Sequence, residues 1–382
     1  MRAMPACALA AALLAVPGPA AAQITKAPAV VTKQKVKVET IAKGLVHPWG
    51  LAFLPDGRQL VTERPGRMRI VAKDGSLSEP LKGVPAVYAS GQGGLLDVVL
   101  GPDFASSGLI YFSYAEPRGG WGKNGTTVAR AKLVLDGGGG RLDDVQVIFR
   151  QDPSYASSAH FGSRIVFMPD GSLFVTMGDR FSASKEAQNP ANHLGKLVRI
   201  LPDGAPHPDN PKGEGWRPEI WSIGHRNVQG AVRHPATGRL WTIEHGARGG
   251  DEINVPQRGR NYGWPVITYG RDYSYAKIGE GTEKPGMEQP IYYWDPSIAP
   301  SGAAFYTGER IPEWKGNLFV GALAGQALHR LVLDGEKVVG EEALFKNLGE
   351  RIRDVRMGPD SALWLLTDHP EGRVLRVVPA SG

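Results

Sequence analysis

One short phrase recurs six times along this chain and restricts the possible fold more than any other feature. It is an alternating apolar run, a turn at Pro-Asp-Gly or a close variant, and a second β-rich run. It reads LAFLPDGRQLVTE from Leu51, DVVLGPDFASSGLIYFSY from Asp97 and IVFMPDGSLFVTMGD from Ile165. It returns as AVRHPATGRLWTIEHG from Ala231, AAFYTGERIPEWKGNLFVGAL from Ala303 and DVRMGPDSALWLLTD from Asp354. Each copy has the pattern of a β-hairpin: strand, tight turn, strand. Successive copies start 46, 68, 66, 72 and 51 residues apart, which leaves room in each interval for about two more short strands. The expected architecture is therefore all-β: a single six-bladed β-propeller of four-stranded antiparallel blades over residues 35–380. A pair of β-sandwiches would match the strand density but not the recurrence of one turn phrase. The runs Val36 to Ala42 and Gly372 to Val378 are the expected pair that closes the ring, since an open ring would expose strand edges. Residues 23–34 read as an unstructured lead-in, and Gly137–Gly140 as a hairpin tip.

Composition narrows the class further. With 50 glycines and 30 prolines in 382 residues, a long helical bundle or coiled coil is excluded. A hydrophobic content of 42% and nine tryptophans supply a sizeable core and argue against disorder. The net charge of +6 permits an anionic partner, but the 44 basic and 38 acidic residues are interspersed and do not demand nucleic acid. Residues 1–22 carry Arg2, a short apolar run and Ala20-Ala21-Ala22, the pattern of a cleaved secretory signal peptide. Pro17 and Pro19 break the run, which is too short for a bilayer span. Cleavage removes the sole cysteine, Cys7, and with it any disulfide, Cys-bound zinc or thiol nucleophile. No later run reads as a membrane span, and the expected location is periplasmic or secreted.

No G-x-S-x-G, H-E-x-x-H, P-loop or dinucleotide fingerprint is present, so chemistry must come from loops at one end of the channel. Five clusters stand out. His160, in SAHFGSR, lies on the loop entering the third repeat, where it can serve as a general base or as a structural histidine bonded to backbone. Arg226, Asn227 and Gln229, in GHRNVQG, suit a planar ligand with carboxylates or carbonyls, or a blade-to-blade cluster. The segment from Glu244 to Pro265 is glycine-rich with adjacent Asp251 and Glu252, as a hard cation or a solvated turn would suit. Arg351 and Arg353 open the last repeat and, alternating along a strand, point the same way; two such cations repel unless an anion sits between them. Gln92 lies in a glycine-rich loop before the second repeat. Positions just before a repeat's first strand share one end of a propeller, so Gln92, His160, Arg226 and the Arg351/Arg353 pair are expected to converge on a polyanionic planar ligand with a base beside it.

The motifs GQGGLLDV, HFG-R, RN-QG, EHG-RGGDEIN, NYGWP and RIRDV occur here in that order. In this the chain resembles the soluble pyrroloquinoline-quinone-dependent aldose sugar dehydrogenases of the glucose/sorbosone dehydrogenase group, from His47 to Val378. The resemblance implies PQQ- and Ca²⁺-dependent oxidation of aldose sugars at the anomeric carbon to lactones, with electrons passing to an external acceptor, a quinone or a cytochrome. It implies that His160 is the base, that Gln92, Arg226, Asn227 and Gln229 hold the quinone, and that Arg351 and Arg353 sit near its carboxylates. It further implies that Gly246 and Ala247 offer backbone carbonyls to the cofactor's Ca²⁺, and that Glu252 and Tyr262 bind a second, structural Ca²⁺. A monomer or homodimer is expected. Three positions depart from the family. Ala247 stands where many members have Pro, Ala159 where relatives carry Asp or Asn beside the base, and Thr307 where some members place a lysine on the quinone. Two other functions stay open on such a fold: a Ca²⁺-dependent lactonase or hydrolase, and a propeller that binds glycans or proteins.

Overall fold

The computed structural model describes residues 27–380; the expected signal peptide lies outside the described residues. Each recurring phrase forms the two inner strands of a blade. The inner hairpins are Pro48–Phe53 with Gln59–Glu63, Leu95–Leu100 with Leu109–Pro117, and Gly162–Phe167 with Leu173–Met177. Then follow Val228–Arg233 with Leu240–Glu244, Pro300–Phe305 with Leu318–Ala322, and Ile352–Met357 with Leu363–Thr367. The Pro-Asp-Gly turn works as its chemistry predicts. Gly57 and Gly171 take φ of +89° and +82°, and the Asp56 and Asp170 carboxylates accept the N–H two residues on, both at 3.0 Å, an Asx turn.

Outer strands complete the blades. The second adds Asn124–Asp136 and Gly139–Arg150, whose tip falls in the glycine run; the third adds Lys196–Ile200 and Ile220–Ile223. The fourth adds Asp251–Asn254 and Tyr292–Trp294, and the fifth Ala327–Asp334 and Lys337–Leu344. In the sixth, Gly372–Pro379 pairs antiparallel with Val36–Leu45, so the two ends of the described chain close the ring as expected. The first blade has three laddered strands, ending with Arg67–Val71. Its fourth position is reduced to a bridge between Val71 and Leu77, because Pro80 and Pro85 follow and proline cannot donate to a ladder. Residues 27–34, expected to be unstructured, instead dock on the fifth blade. Val30 N–H donates to the Glu341 carbonyl at 3.1 Å, and the Thr32 hydroxyl donates to Glu342 at 2.6 Å and accepts from Trp314 Nε1.

Apolar layers lie between adjacent blades. Leu60, Met68 and Ile70 of the first pack with Val98, Phe112 and Ala129 of the second. At the axis the filling is ionic. Arg164 reaches Asp97 at 3.2 Å and Asp354 at 3.0 Å, and Arg356 reaches the same two carboxylates at 2.6 and 2.8 Å. Arg164 also donates to the Gln229 carbonyl, and Leu51 N–H donates to Asp354. A Cβ on Gly302 would lie 2.2 Å from Asp354. Inner strands of all six blades thus converge on two matched acid–base pairs, with Asp97, Arg164 and Asp354 almost wholly buried. Such a network is tolerable only when every charge is met.

Candidate active site

Two long excursions reach the end of the channel where the inner strands begin. One joins the second and third strands of the third blade, residues 178–195; the other joins the third and fourth strands of the fourth blade, residues 255–291. His160 sits beneath the first in the left-handed region, φ 53°, with its ring buried. Its backbone N–H donates to Gln92 Oε1 at 2.8 Å, and Gln92 N–H donates to the Ser158 carbonyl. A Cβ on Gly178 would fall 2.1 Å from the His160 carbonyl, so only glycine permits this approach.

Asp179 orients the histidine. Its Oδ1 takes His160 Nδ1 at 2.6 Å and Phe181 N–H at 2.8 Å, and its Oδ2 takes Trp264 Nε1 at 2.7 Å. A carboxylate with three donors is acceptor only, so Nδ1 carries the proton and Nε2 keeps a free lone pair. Burial lowers the His160 pKa below its ordinary 6.5, with Arg226 and Arg180 assisting; the Asp179 bond works the other way without overcoming burial. The ring is thus a neutral base with a fixed tautomer. Ala159 has no polar side chain to offer the histidine; its carbonyl accepts from Arg180 Nε.

The arginines and amides join this centre. Arg226 lies over the Trp264 ring at 5.1 Å, and its carbonyl accepts Asp179 N–H at 2.8 Å. Asn227 Oδ1 accepts Gly162 N–H at 3.1 Å; Gln229 Nε2 donates to the Gly162 carbonyl, and Gln229 Oε1 accepts from Arg353 at 2.9 Å. Arg351 and Arg353 do point together, and the anion between them belongs to the chain itself. Asp368 Oδ2 is 3.1 Å from the first and 2.9 Å from the second. Burial opposes that charge, but Arg353, the His47 bond, Arg64 and Arg351 override it and hold the carboxyl well below the usual range. Arg353 is buried, whereas the Arg351 side chain is nearly half exposed. Three buried donors in this group have no acceptor among the described residues: Arg226 Nε, Asn227 Nδ2 and Arg353 Nε.

The cation candidates divide. Gly246 and Ala247 line a cavity of about 550 Å³ together with Arg248, Tyr273 and Asp295. The Gly246 carbonyl accepts from Arg226 Nη1, and its N–H donates to Asp251 at 2.8 Å. Burial pushes Asp251 up to about 6 despite its bonds to Ser297, Gly246, Ile298 and Ala299. Glu252 faces Glu244 directly across the ladder; burial first, then the Glu244 charge, raises its pKa well above the ordinary value. Asn254 Nδ2 bridges the two carboxylates at 3.0 and 3.2 Å. The Tyr262 hydroxyl is engaged by the Val255 carbonyl and Gln257 N–H, which leaves its backbone carbonyl as the oxygen a cation could take. Among the described residues no three His, Cys, Asp or Glu side chains gather as a metal cluster, so any cation here rests largely on carbonyl oxygens. Thr307 is not in this group at all. It lies at the opposite mouth beside Phe167, Arg356 and Met357, because it follows the end of an inner strand rather than preceding its start.

Sequence reasoning missed Asp179, Glu244 and Asp368 as anchors, although a signal was present. The phrases of the first, third, fourth and sixth repeats end LVTE, VTMGD, WTIEHG and WLLTD. Each terminal acid clasps an incoming loop: Glu63 takes Val46 N–H, Asp179 takes His160, Glu244 takes His225 and Arg226 N–H, and Asp368 takes His47.

The sequence profile of the glucose / sorbosone dehydrogenase family matches residues 45–376. The chain is 46% identical to the aldose sugar dehydrogenase YliI of Escherichia coli over 349 residues, covering 90% of this chain and 93% of that one. The crystal structure of the soluble E. coli aldose sugar dehydrogenase in its apo form superposes with a TM-score of 0.87 over 91% of this chain and all of that one, at 46% identity. The PQQ-bound form of the aldose sugar dehydrogenase from Streptomyces coelicolor superposes with a TM-score of 0.76, at 31% identity, over 91% of this chain and 99% of that one. A propeller with a clasped histidine at one mouth, matched along nearly its whole length, places the chain in the glucose/sorbosone dehydrogenase family of oxidoreductases.

Proposed function

We propose that this chain oxidises aldose sugars at the anomeric carbon to lactones, using pyrroloquinoline quinone with Ca²⁺ and passing electrons to an external acceptor. The observation that carries the reading is the set of unpartnered buried donors, Arg226 Nε, Asn227 Nδ2 and Arg353 Nε, arranged around an oriented neutral base. Donors without acceptors call for a ligand rich in carboxylates and carbonyls, and that quinone carries three carboxylates and an ortho-quinone. The residues fit it: Arg226, Asn227, Gln229 and Arg353 would hold it, Gln92 and Arg351 would border it, and the Gly246 and Ala247 carbonyls would take Ca²⁺. Glu252 and the Tyr262 carbonyl are the candidates for a second cation. Bound there, the quinone supplies the hydride acceptor and Ca²⁺ the Lewis acid that sharpens it.

The chain's own part is proton transfer and orientation. His160 Nε2 takes the proton of the anomeric hydroxyl, and Asp179 stabilises the imidazolium that forms through the bond at Nδ1. Closure of the ionic axis beneath excludes bulk water from that side. The hydrolase alternative needs free carboxylates in the channel, and here Asp97 and Asp354 are both held by Arg164 and Arg356. The reading includes export after cleavage near residue 22, which N-terminal sequencing of the mature protein checks.

The test is reconstitution. The purified apo protein is given the quinone and Ca²⁺, and reduction of a redox dye is followed on adding aldoses. Dye reduction that needs all three components is expected; His160→Ala should abolish turnover while quinone binding, read from its absorbance, persists. Absence of quinone binding sinks the reading, and persistent activity in the variant removes His160 as the base.

A further inference from the structure

Among the aromatic rings that the loops around the base leave in the open, two stand side by side. Phe181 is 51% exposed and Tyr273 is 53% exposed, while His160, Asp179, Arg226 and Trp264 beside them are buried. Adjacent rings that stand half in water beside a buried polar cluster form a small contiguous apolar patch, the kind of surface that marks a binding groove. The backbone there is also unfavourable: Arg180 and Phe181 both take left-handed φ, 60° and 67°, a conformation bulky residues adopt only when something holds them. What holds Phe181 is its N–H bond to Asp179 Oδ1, the same oxygen that takes His160 Nδ1. Its ring meets the His160 ring edge-on, centroids 5.2 Å apart at 81°. Beyond it the Tyr273 ring stacks at 6.3 Å and 30°, and the Tyr273 hydroxyl lies 3.5 Å from Arg226 Nη2. One carboxylate oxygen therefore fixes the base and the exposed ring together, and the next ring is tied to an arginine of the ligand group.

We infer that Phe181, flanked by Tyr273, is the platform on which the aldose ring lies while His160 takes its proton. The inference rests on the aldose-oxidising reading above. A pyranose has apolar C–H faces and a rim of hydroxyls, and a flat aromatic surface receives the C–H face. Such a platform reads the sugar's shape and not the orientation of any one hydroxyl. It therefore contributes to affinity alike for epimers that differ only on the rim.

The test uses the holoenzyme, loaded with quinone and Ca²⁺. In Phe181→Ala, KM should rise roughly tenfold for glucose, mannose and galactose alike, with kcat changed by less than about threefold, and Phe181→Tyr should restore the wild-type KM. Phe181→Leu keeps bulk and folding but not flatness, and should behave like the alanine variant. A second readout is independent of turnover. With glucose in excess and no electron acceptor, the enzyme stops after one cycle, and saturation transfer from aromatic protons to the sugar C–H protons is measured by NMR. Transfer should be strong in the wild type and largely lost in Phe181→Leu. If the wild type oxidises aldoses but the variants keep both KM and saturation transfer, the platform is wrong and the reading of the site survives. If the wild type binds quinone yet oxidises no aldose, the reading itself falls, and this inference with it.

Discussion

Asp179 gathers three donors onto two oxygens, and one of its neighbours is the proposed base. The pH behaviour follows from the signs. His160 is held below 6.5 by burial, so the neutral form persists down to that lowered pKa; if His160 is the base as proposed, activity should be lost as pH falls through it. Asp179 is the group that raises this pKa. Asp179→Asn should therefore move the acid limb of the kcat/KM profile to lower pH while kcat drops by roughly 10²-fold or more. An acid limb that stays in place or moves to higher pH overturns the assignment. The histidine was legible in the sequence as a candidate because a histidine at the start of a repeat is conspicuous. Its partner was not, because nothing local couples position 179 to position 160; only the folded third blade brings the end of its second strand beside the loop entering its first.

The hairpins were legible for the opposite reason: strand, turn and strand are local, and the turn chemistry sits within four residues. The edge of a blade is less so, since Leu77 has the apolar character of a strand residue but prolines follow it and stop the ladder. The same local logic makes glycine informative where two elements touch. Gly178 stands at the close approach between the second strand of the third blade and the loop carrying His160. Gly178→Ala must push that loop away, so a kcat loss of roughly tenfold or more is expected with a fall of about 2 kcal/mol in unfolding free energy. The pair of measurements is steady-state kinetics and urea denaturation; unchanged kcat would show that the loop has slack.

Around the whole ring, closure depends on Val36–Leu45 completing the sixth blade against Gly372–Pro379. The Arg376–Glu39 ion pair and the Val36 and Val38 side chains reinforce it. Removing residues through Leu45 bares a strand edge and the apolar face it covers. The truncated protein should melt roughly 10 °C lower or more and self-associate, which circular dichroism and gel filtration check; a monomer of unchanged melting temperature would show that the remaining blades seal themselves. The knot of Asp97, Arg164, Asp354 and Arg356 has a different consequence. With the hub filled by these ion pairs, the histidine is approached from one mouth of the channel. On the proposed reading, sugar, lactone and electron acceptor would share that mouth and use it in turn, so the architecture would separate the two half-reactions in time.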